Sequence, residues 1–303
     1  MHVSIVIVHY NTDKDTKECL ASLAALQNRS FSYNIVIVDN GSKKPLHLPA
    51  DLKNKKTMVV RSQANLGFTG GNNLGLFYAR EHYNSDYFLL LNSDTLVEPQ
   101  FLEKMVSLAK KDNTIGLVAP KIYFAKGYEF HHQSYKSTEK GRVFWFAGGS
   151  IDWPNLIAFH RGVDEIDRGQ FDQQASCDFL TGCCLLISRA ALDTVGLLDK
   201  RYFLYMEDVD YSIRTIKAGF NLRFCPQAII WHKNAGSSGG AGSQTHVYYQ
   251  TRNRLLFGFK FGLPRVQLTT ARLLVQYLLS HLRLERKAAW DLISGRFGKQ
   301  PLL

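Results

Sequence analysis

Short unbroken apolar runs alternate along this chain with longer segments whose apolar residues recur every three or four positions. The first run, VSIVIV at 3–8, has strand length and is rich in Val and Ile; the stretch 14–27 places Cys19, Leu20, Leu23 and Leu26 at helical spacing. NIVIVDNGS (34–42), TMVVRS (57–62) and YFLLLNSD (87–94) read as three more strands, and IGLVAPKIY follows at 115–123. Helices are predicted over 72–83, behind a Gly/Asn-rich segment, and over 99–111, where Pro99 suits a first turn. Strands buried on both faces and separated by helices predict a parallel α/β sheet. Residues 125–176 are polar and aromatic and read as long loops or hairpins over the rim of the sheet, a functional insertion. Order returns with CDFLTGCCLLISRAALDTVGLLD, a strand and then a helix. YMEDVDYSIRTIKAGF reads as a helix stopped by Gly219, and LRFCPQAIIWHK as one more strand. GSSGGAGS (236–243) is expected to be flexible without a ligand. Beyond it, two helical segments are expected around Pro264.

In parallel α/β sheets ligands bind beyond the carboxyl ends of the strands. Those ends carry Tyr10-Asn11, Asp39-Asn40, Asn65, and Asn92 with Asp94. One polar strand end is ordinary turn chemistry; four on one rim point to a ligand. The run DYFLLLNSDTLVEP poses the question most sharply, because a carboxylate stands where a wholly buried strand stops.

Composition narrows the class. The chain has 303 residues, 45% of them hydrophobic, enough for a substantial core. No apolar run reaches the roughly 18–20 residues of a membrane span, and the opening MHVSIVIVHYN lacks the pattern of a signal peptide, so none is expected. Five cysteines without a C-x-x-C pair argue against a disulfide framework or structural zinc and for a reducing cytoplasm. The net charge of +11 is uneven: residues 252–303 hold ten Lys/Arg and two acids, 10 − 2 = +8. The expected stripe of Leu273, Leu274, Tyr277, Leu278 and Leu282, flanked by Arg272, Arg283, Arg286 and Lys287, fits either packing on the core or docking on an anionic membrane surface. No zinc finger, RNP-like motif or helix-turn-helix pattern supports nucleic-acid binding.

Three segments carry the candidate chemistry. NLGFTGGNNLG (65–75) has glycines at 67, 70, 71 and 75, which match neither G-x-G-x-x-G nor a P-loop. Close backbone approach is expected instead, with Asn72 or Asn73 capping the next helix. In YFLYMEDVDYSIR (202–214), Glu207, Asp208 and Asp210 sit in a first turn where acids suit the helix dipole, and Asp210 is placed to pair with Arg214. The aromatic stretch before them could desolvate a carboxylate and raise its pKa, the setting of a general base. IIWHKNAGSS ends a strand in His232, and imidazole with the Asp94 carboxylate suits Mn²⁺ or a similar ion.

Together VSIVIVHYN, VIVDNGS, NLGFTGGNNLG, LLLNSDT, TGCCLLISR, GLLDKRYFLYMEDVDYSIR and PQAIIWHKNAGSS resemble, in order and spacing over roughly residues 1–240, the family 2 glycosyltransferases of the GT-A fold, bacterial rhamnosyltransferase-like branch. The resemblance implies a Rossmann-like, mostly parallel central sheet with helices on both faces. It divides the chain into a glycosyltransferase domain at 1–243 (nucleotide-binding half 1–120, acceptor and catalytic half 121–243) and a basic helical extension at 244–303.

It further implies inverting, metal-dependent transfer of a sugar, with rhamnose from dTDP-rhamnose foremost, from a nucleotide diphosphate donor. The acceptor would be a glycan or polyprenyl-linked hydroxyl in cell-surface polysaccharide synthesis, at the inner face of the plasma membrane. By the same resemblance Tyr10, Asn11, Asp39 and Asn40 hold the nucleoside. Asn65, Gly67, Asn72 and Asn92 line the nucleotide and donor sugar. Asp94 and His232 hold Mn²⁺ or Mg²⁺, Asp208 is the catalytic base with Glu207 beside it, and Asp178 and Trp231 border the acceptor. Asn92 replaces the first acid of the Asp-x-Asp-like motif, leaving a single carboxylate there. A sugar-1-phosphate nucleotidyltransferase is the alternative enzyme, but it should open with a basic Gly-rich loop, where this chain has HYNTDKD. A non-catalytic sugar-nucleotide-binding protein is expected to have lost the 207–208 acids or His232, and all three are present.

Overall fold

The computed structural model describes residues 1–49, 52, 56–234, 240 and 242–302. Most of GSSGGAGS, expected to be flexible, lies outside the described residues. The first half runs β1 (His2–His9), α1 (Asp13–Ala24), β2 (Ser32–Asn40), β3 (Thr57–Ser62), α2 (Gly67–His82), β4 (Tyr87–Asn92), β5 (Thr95–Val97) and α3 (Phe101–Ala109). Then come β6 (Ile115–Phe124), β7 (Phe144–Phe146), β8 (Gly149–Asp152), β9 (Ile157–His160), β10 (Cys184–Ser188), α4 (Arg189–Val195), α5 (Glu207–Lys217) and β11 (Asn221–His232). Three helices close the chain: α6 (Gln244–Phe261), α7 (Pro264–Leu278) and α8 (Arg283–Ile293).

Nine strands form one sheet in the order β3-β2-β1-β4-β10-β6-β11-β5, with β7 on β6, while β8 and β9 make a separate hairpin. β1 to β4 are mutually parallel, and β10 lies antiparallel between β4 and β6, so β6 and its parallel neighbour β11 point the same way as β4. The sheet is therefore mixed but mostly parallel. Val3, Ile5 to Ile7, Val36 to Val38 and Phe88 to Leu90 are buried because helices cover the sheet. α2 packs on β1 and β2, and α3 on β6 and β11. The register of β11 slips between Cys225 and Ile229, where Pro226 cannot donate to the ladder.

Four expectations change. The helix expected from 72 begins at Gly67, and Asn72 and Asn73 lie inside it, not at its cap. The glycines permit this: a Cβ on Gly75 would stand 2.3 Å from Val6 Cγ1, and one on Gly71 2.8 Å from Val8 Cγ1. Only a bare helix face lies this close to β1. Asn73 instead bridges 125 residues, donating to the Leu198 carbonyl and accepting from its amide. The acidic helix starts only at Glu207, because Tyr205 and Met206 are both left-handed with φ of 69°. No apolar pattern announced β5, three residues that pair with the end of β11. Finally, the extension holds three helices, the chain breaking at 279–282 between α7 and α8.

Among the described residues no helix is long and apolar enough to cross a membrane. All five cysteines are free thiols.

Candidate active site

At the carboxyl ends of β1, β2 and β4 the sheet opens into a cleft of about 1020 Å³. Tyr10, Asn40, Asn65, Gly67, Asn92 and Asp94 line it from the first half of the chain, and Glu207, Asp208 and His232 from the second. These nine expected site residues thus share one cavity.

The pairing of β5 with β11 explains how Asp94 meets His232 across 138 residues. Thr95 stands opposite His232 in that ladder, and the Lys233 amide donates to the Asp94 carbonyl. The His232 Nε2 and Asp94 Oδ1 are consequently 3.1 Å apart. Trp145 packs edge-on against the imidazole, with ring centroids 4.5 Å apart. Burial lowers the His232 pKa, but the Cys183 thiol and Asp94 carboxylate outweigh it and hold the ring well above its ordinary value.

A carboxylate oxygen and an imidazole nitrogen suit Mn²⁺, and the carboxylate suits Mg²⁺. Two adjacent ligands of an octahedral Mg²⁺ at about 2.1 Å stand about 3 Å from each other, so the pair's spacing fits. Among the described residues no third metal-type side chain joins them. Most of the coordination shell would come from a ligand's own oxygens and from water.

Another wall of the cleft carries the acidic turn. Asp208 is half-buried: its Oδ2 accepts from the Gly182 amide at 2.9 Å and its Oδ1 from the Val209 amide at 2.8 Å. Burial raises its pKa against the pull of those amides. Glu207 is 5% exposed, its Oε2 has no hydrogen-bond partner, and burial followed by the Asp208 charge pushes its carboxyl well above the ordinary range. Asp210, on the same turn, is fully buried and serves the scaffold through Arg214 at 2.7 Å and through Lys260. Two left-handed residues ahead of this turn store backbone strain, a cost of order 1–3 kcal/mol per residue. Asn253 of α6 steadies them, its Nδ2 donating to the carbonyls of Leu204 at 2.8 Å and Tyr205 at 2.9 Å.

Five expected site residues do not line the cleft. Asp39 is only 1% exposed and turned inward, accepting from the amides of Ser42 and Leu46 and from Arg61. Burial raises its pKa, but these donors more than reverse that, leaving the carboxyl below its ordinary value. Asn11 is left-handed and exposed, its Oδ1 taking the Lys43 amide. Asn72 is buried in α2, donating to the Phe68 carbonyl. Asp178 accepts from the Ile151 amide and ties down the β8–β9 hairpin. Trp231 precedes His232 on one strand and so faces the other side of the sheet, where its Nε1 donates to the Gly141 carbonyl.

The remaining wall comes from the 125–176 segment expected over the rim and from the C-terminal extension, whose share was not anticipated from the sequence. The β8–β9 region contributes Leu156, Ile157 and His160, and the extension contributes His246, Tyr249, Arg254, Tyr277 and Lys299. Mixed polar and aromatic residues in QTHVYYQTRNR were the available signal, since a helix polar on one side and buried on the other must face something polar.

The family described as "Glycosyltransferase like family 2" matches residues 2–256. The low-salt glycan biosynthesis hexosyltransferase Agl10 of Haloferax volcanii is 23% identical over 289 residues, covering 94% of this chain and 86% of that protein. The N-acetylglucosaminyl-diphospho-decaprenol L-rhamnosyltransferase of Mycobacterium tuberculosis is 26% identical over 311 residues, covering 96% of this chain and 98% of that one. Among solved structures, GalNAc-T7 with UDP, GalNAc and Mn²⁺ is similar with a TM-score of 0.59 and 18% identity; all of this chain aligns, but it spans only 58% of that one. The mannosyltransferase PcManGT of Pyrobaculum calidifontis, in complex with GDP-Man and Mn²⁺, gives a TM-score of 0.54 at 14% identity, covering 97% of this chain and 79% of that one.

Proposed function

The chain belongs to glycosyltransferase family 2 and has the GT-A fold, and from that premise we propose that it transfers a hexose, rhamnose from dTDP-rhamnose foremost, with inversion to a hydroxyl of a glycan or polyprenyl-linked acceptor. As a glycosyltransferase of glycan biosynthesis it needs an activated sugar and a nucleophile. The observation that carries the proposal is a single cleft with the Asp94–His232 pair on one wall and the half-buried Asp208 on another. Rhamnose rests on the decaprenol-linked rhamnosyltransferase similar over nearly the whole chain.

Tyr10, Asn40, Asn65 and Gly67 bind the nucleotide at the ends of β1 and β2, with Asn92 and Asp94 beside the diphosphate. Asp39 acts indirectly, by fixing the 42–46 loop that frames this end, and Asn11 fixes the same loop through Lys43. Asp94 and His232 would hold Mn²⁺ or Mg²⁺, which when bound offsets negative charge growing on the diphosphate. Asp208 takes the proton of the attacking hydroxyl, and the Gly182 and Val209 amides hold its oxygens in place. Glu207 lies buried beside that base, and burial with the Asp208 charge pushes its carboxyl well above the ordinary range.

Incubation with Mn²⁺ or Mg²⁺ and a panel of nucleotide sugars, scored by nucleoside diphosphate release, tests this. Release from dTDP-rhamnose above all others is expected. Preference for a UDP- or GDP-hexose would replace rhamnose as the donor sugar, and no release from any donor would overturn the proposal.

A further inference from the structure

The stripe Leu273, Leu274, Tyr277 and Leu278 does not form the exposed apolar face of α7: all four are half-buried, and Tyr277 lines the cleft. The outward face is a different set, Arg265, Leu268, Arg272, Val275 and Leu279, at intervals of three and four residues and all exposed. α8 repeats the pattern with Arg283, Arg286, Trp290 and Ile293. Between the helices Leu282 is also exposed; Leu279 reaches 77% and Trp290 56%. Both acids of this segment are turned away: Asp291 is buried against Lys287 and Tyr248, and Glu285 is half-buried against Ser280.

We infer that the outward faces of α7 and α8 form a docking surface for an anionic lipid bilayer. Exposed leucines, a valine, an isoleucine and a tryptophan interleaved with four arginines and no exposed carboxylate match a leaflet that offers acyl chains beneath negative headgroups. Each basic side chain held near such a leaflet strengthens partition roughly fivefold. Tyr277, on the opposite face of α7, accepts a hydrogen bond from Arg254, and both line the cleft. The bilayer therefore lies about one helix diameter, ~10 Å, from that wall. This rests on the glycosyltransferase reading only for its use, since a lipid-linked acceptor in that bilayer would be delivered beside the cleft.

Co-sedimentation of the full chain with phosphatidylcholine vesicles, with and without phosphatidylglycerol, tests the surface. Binding is expected to appear with phosphatidylglycerol and to weaken with salt. The pair Leu279→Glu and Trp290→Glu should weaken it roughly tenfold or more, as should Arg272→Glu with Arg286→Glu. Both pairs should keep the parent's melting temperature and donor cleavage in solution. No binding to anionic vesicles, or equal binding by parent and variants, would overturn the inference. So would a dimer dispersed by the same substitutions in a parent that ignores vesicles, which would make the face a contact between copies. Donor cleavage without vesicle binding refutes this inference alone, and vesicle binding without donor cleavage refutes the proposed function alone.

Discussion

Asp208 has two fixed amide donors on its carboxylate, and burial, the largest influence on its pKa, raises it against their pull. A base must be ionised to accept a proton. Its raised pKa therefore places the acid limb of kcat/KM above the value near 4 of a free aspartate, with activity rising as pH rises through the limb. Asp208→Asn should lower kcat about 10²–10⁴-fold, with donor affinity by calorimetry almost unchanged and the limb lost from the remaining activity. Weakened donor binding with normal turnover would assign Asp208 to the nucleotide instead. Asp94 carries the complementary prediction. With two protein donors, Mn²⁺ should bind weakly to the free protein and more tightly once a nucleoside diphosphate is added. Chelation should stop donor cleavage and Mn²⁺ restore it. Asp94→Ala should abolish the nucleotide-dependent gain and cost on the order of 10²–10³-fold in rate, several kcal/mol of lost charge stabilisation. Tight Mn²⁺ binding without nucleotide would contradict this. The prediction follows from Asn92, which brings no charge to the place of the motif's first acid.

Elements decide which of these residues meet. The long buried strands were legible because their apolar runs leave no other state, and the polar ends of β1, β2 and β4 were legible as a rim for the same reason. β5 was not: three residues carry too little periodicity, yet its pairing with β11 brings Asp94 to His232. The start of α2 was hidden because seven residues from Gly67 include three glycines and two asparagines, poor helix formers whose value is close contact with β1. The strained pair at 205 and 206 was invisible too, since neither Tyr nor Met favours a left-handed backbone. Tertiary contacts impose that turn, and Asn253 is the contact to test. Asn253→Ala removes three hydrogen bonds, two to the carbonyls of the turn and one accepted from Arg252 Nε, about 1 kcal/mol each, and frees the turn that aims Asp208. Lower kcat with unchanged donor KM is expected, beyond a lower melting temperature. A stability loss with kcat preserved would reduce Asn253 to a structural role.

Across the whole molecule, the sequence patterns divide at 243/244 while the packing does not. Arg252, 0% exposed, donates to the carbonyls of Arg201 and Gly298, tying α6 to the loop ahead of the acidic turn and to the chain's last residues. Phe257 stacks on Trp153, and Lys260 joins Asp199 to the buried Asp210. A chain ending at residue 243 would leave Asp210 with Arg214 as its cation, the strained turn without Asn253, and the Trp153 and Phe203 rings without the Phe257 and Tyr249 rings that stack on them. It should fail to give the single cooperative melt expected of the full chain. A point substitution separates the electrostatic part from the rest. Lys260→Met keeps an unbranched apolar side chain of similar length but removes the ammonium from above the Phe261 ring and the charge from two carboxylates that retain Arg201 and Arg214. A charged hydrogen bond of this kind is worth about 2 kcal/mol, so a melting temperature several degrees lower with one transition is expected. If the truncated chain instead melted cooperatively and cleaved donor, the extension would be an accessory to the site. Asn253 and the α6 wall would then have no part in aiming Asp208 or in shaping the cleft.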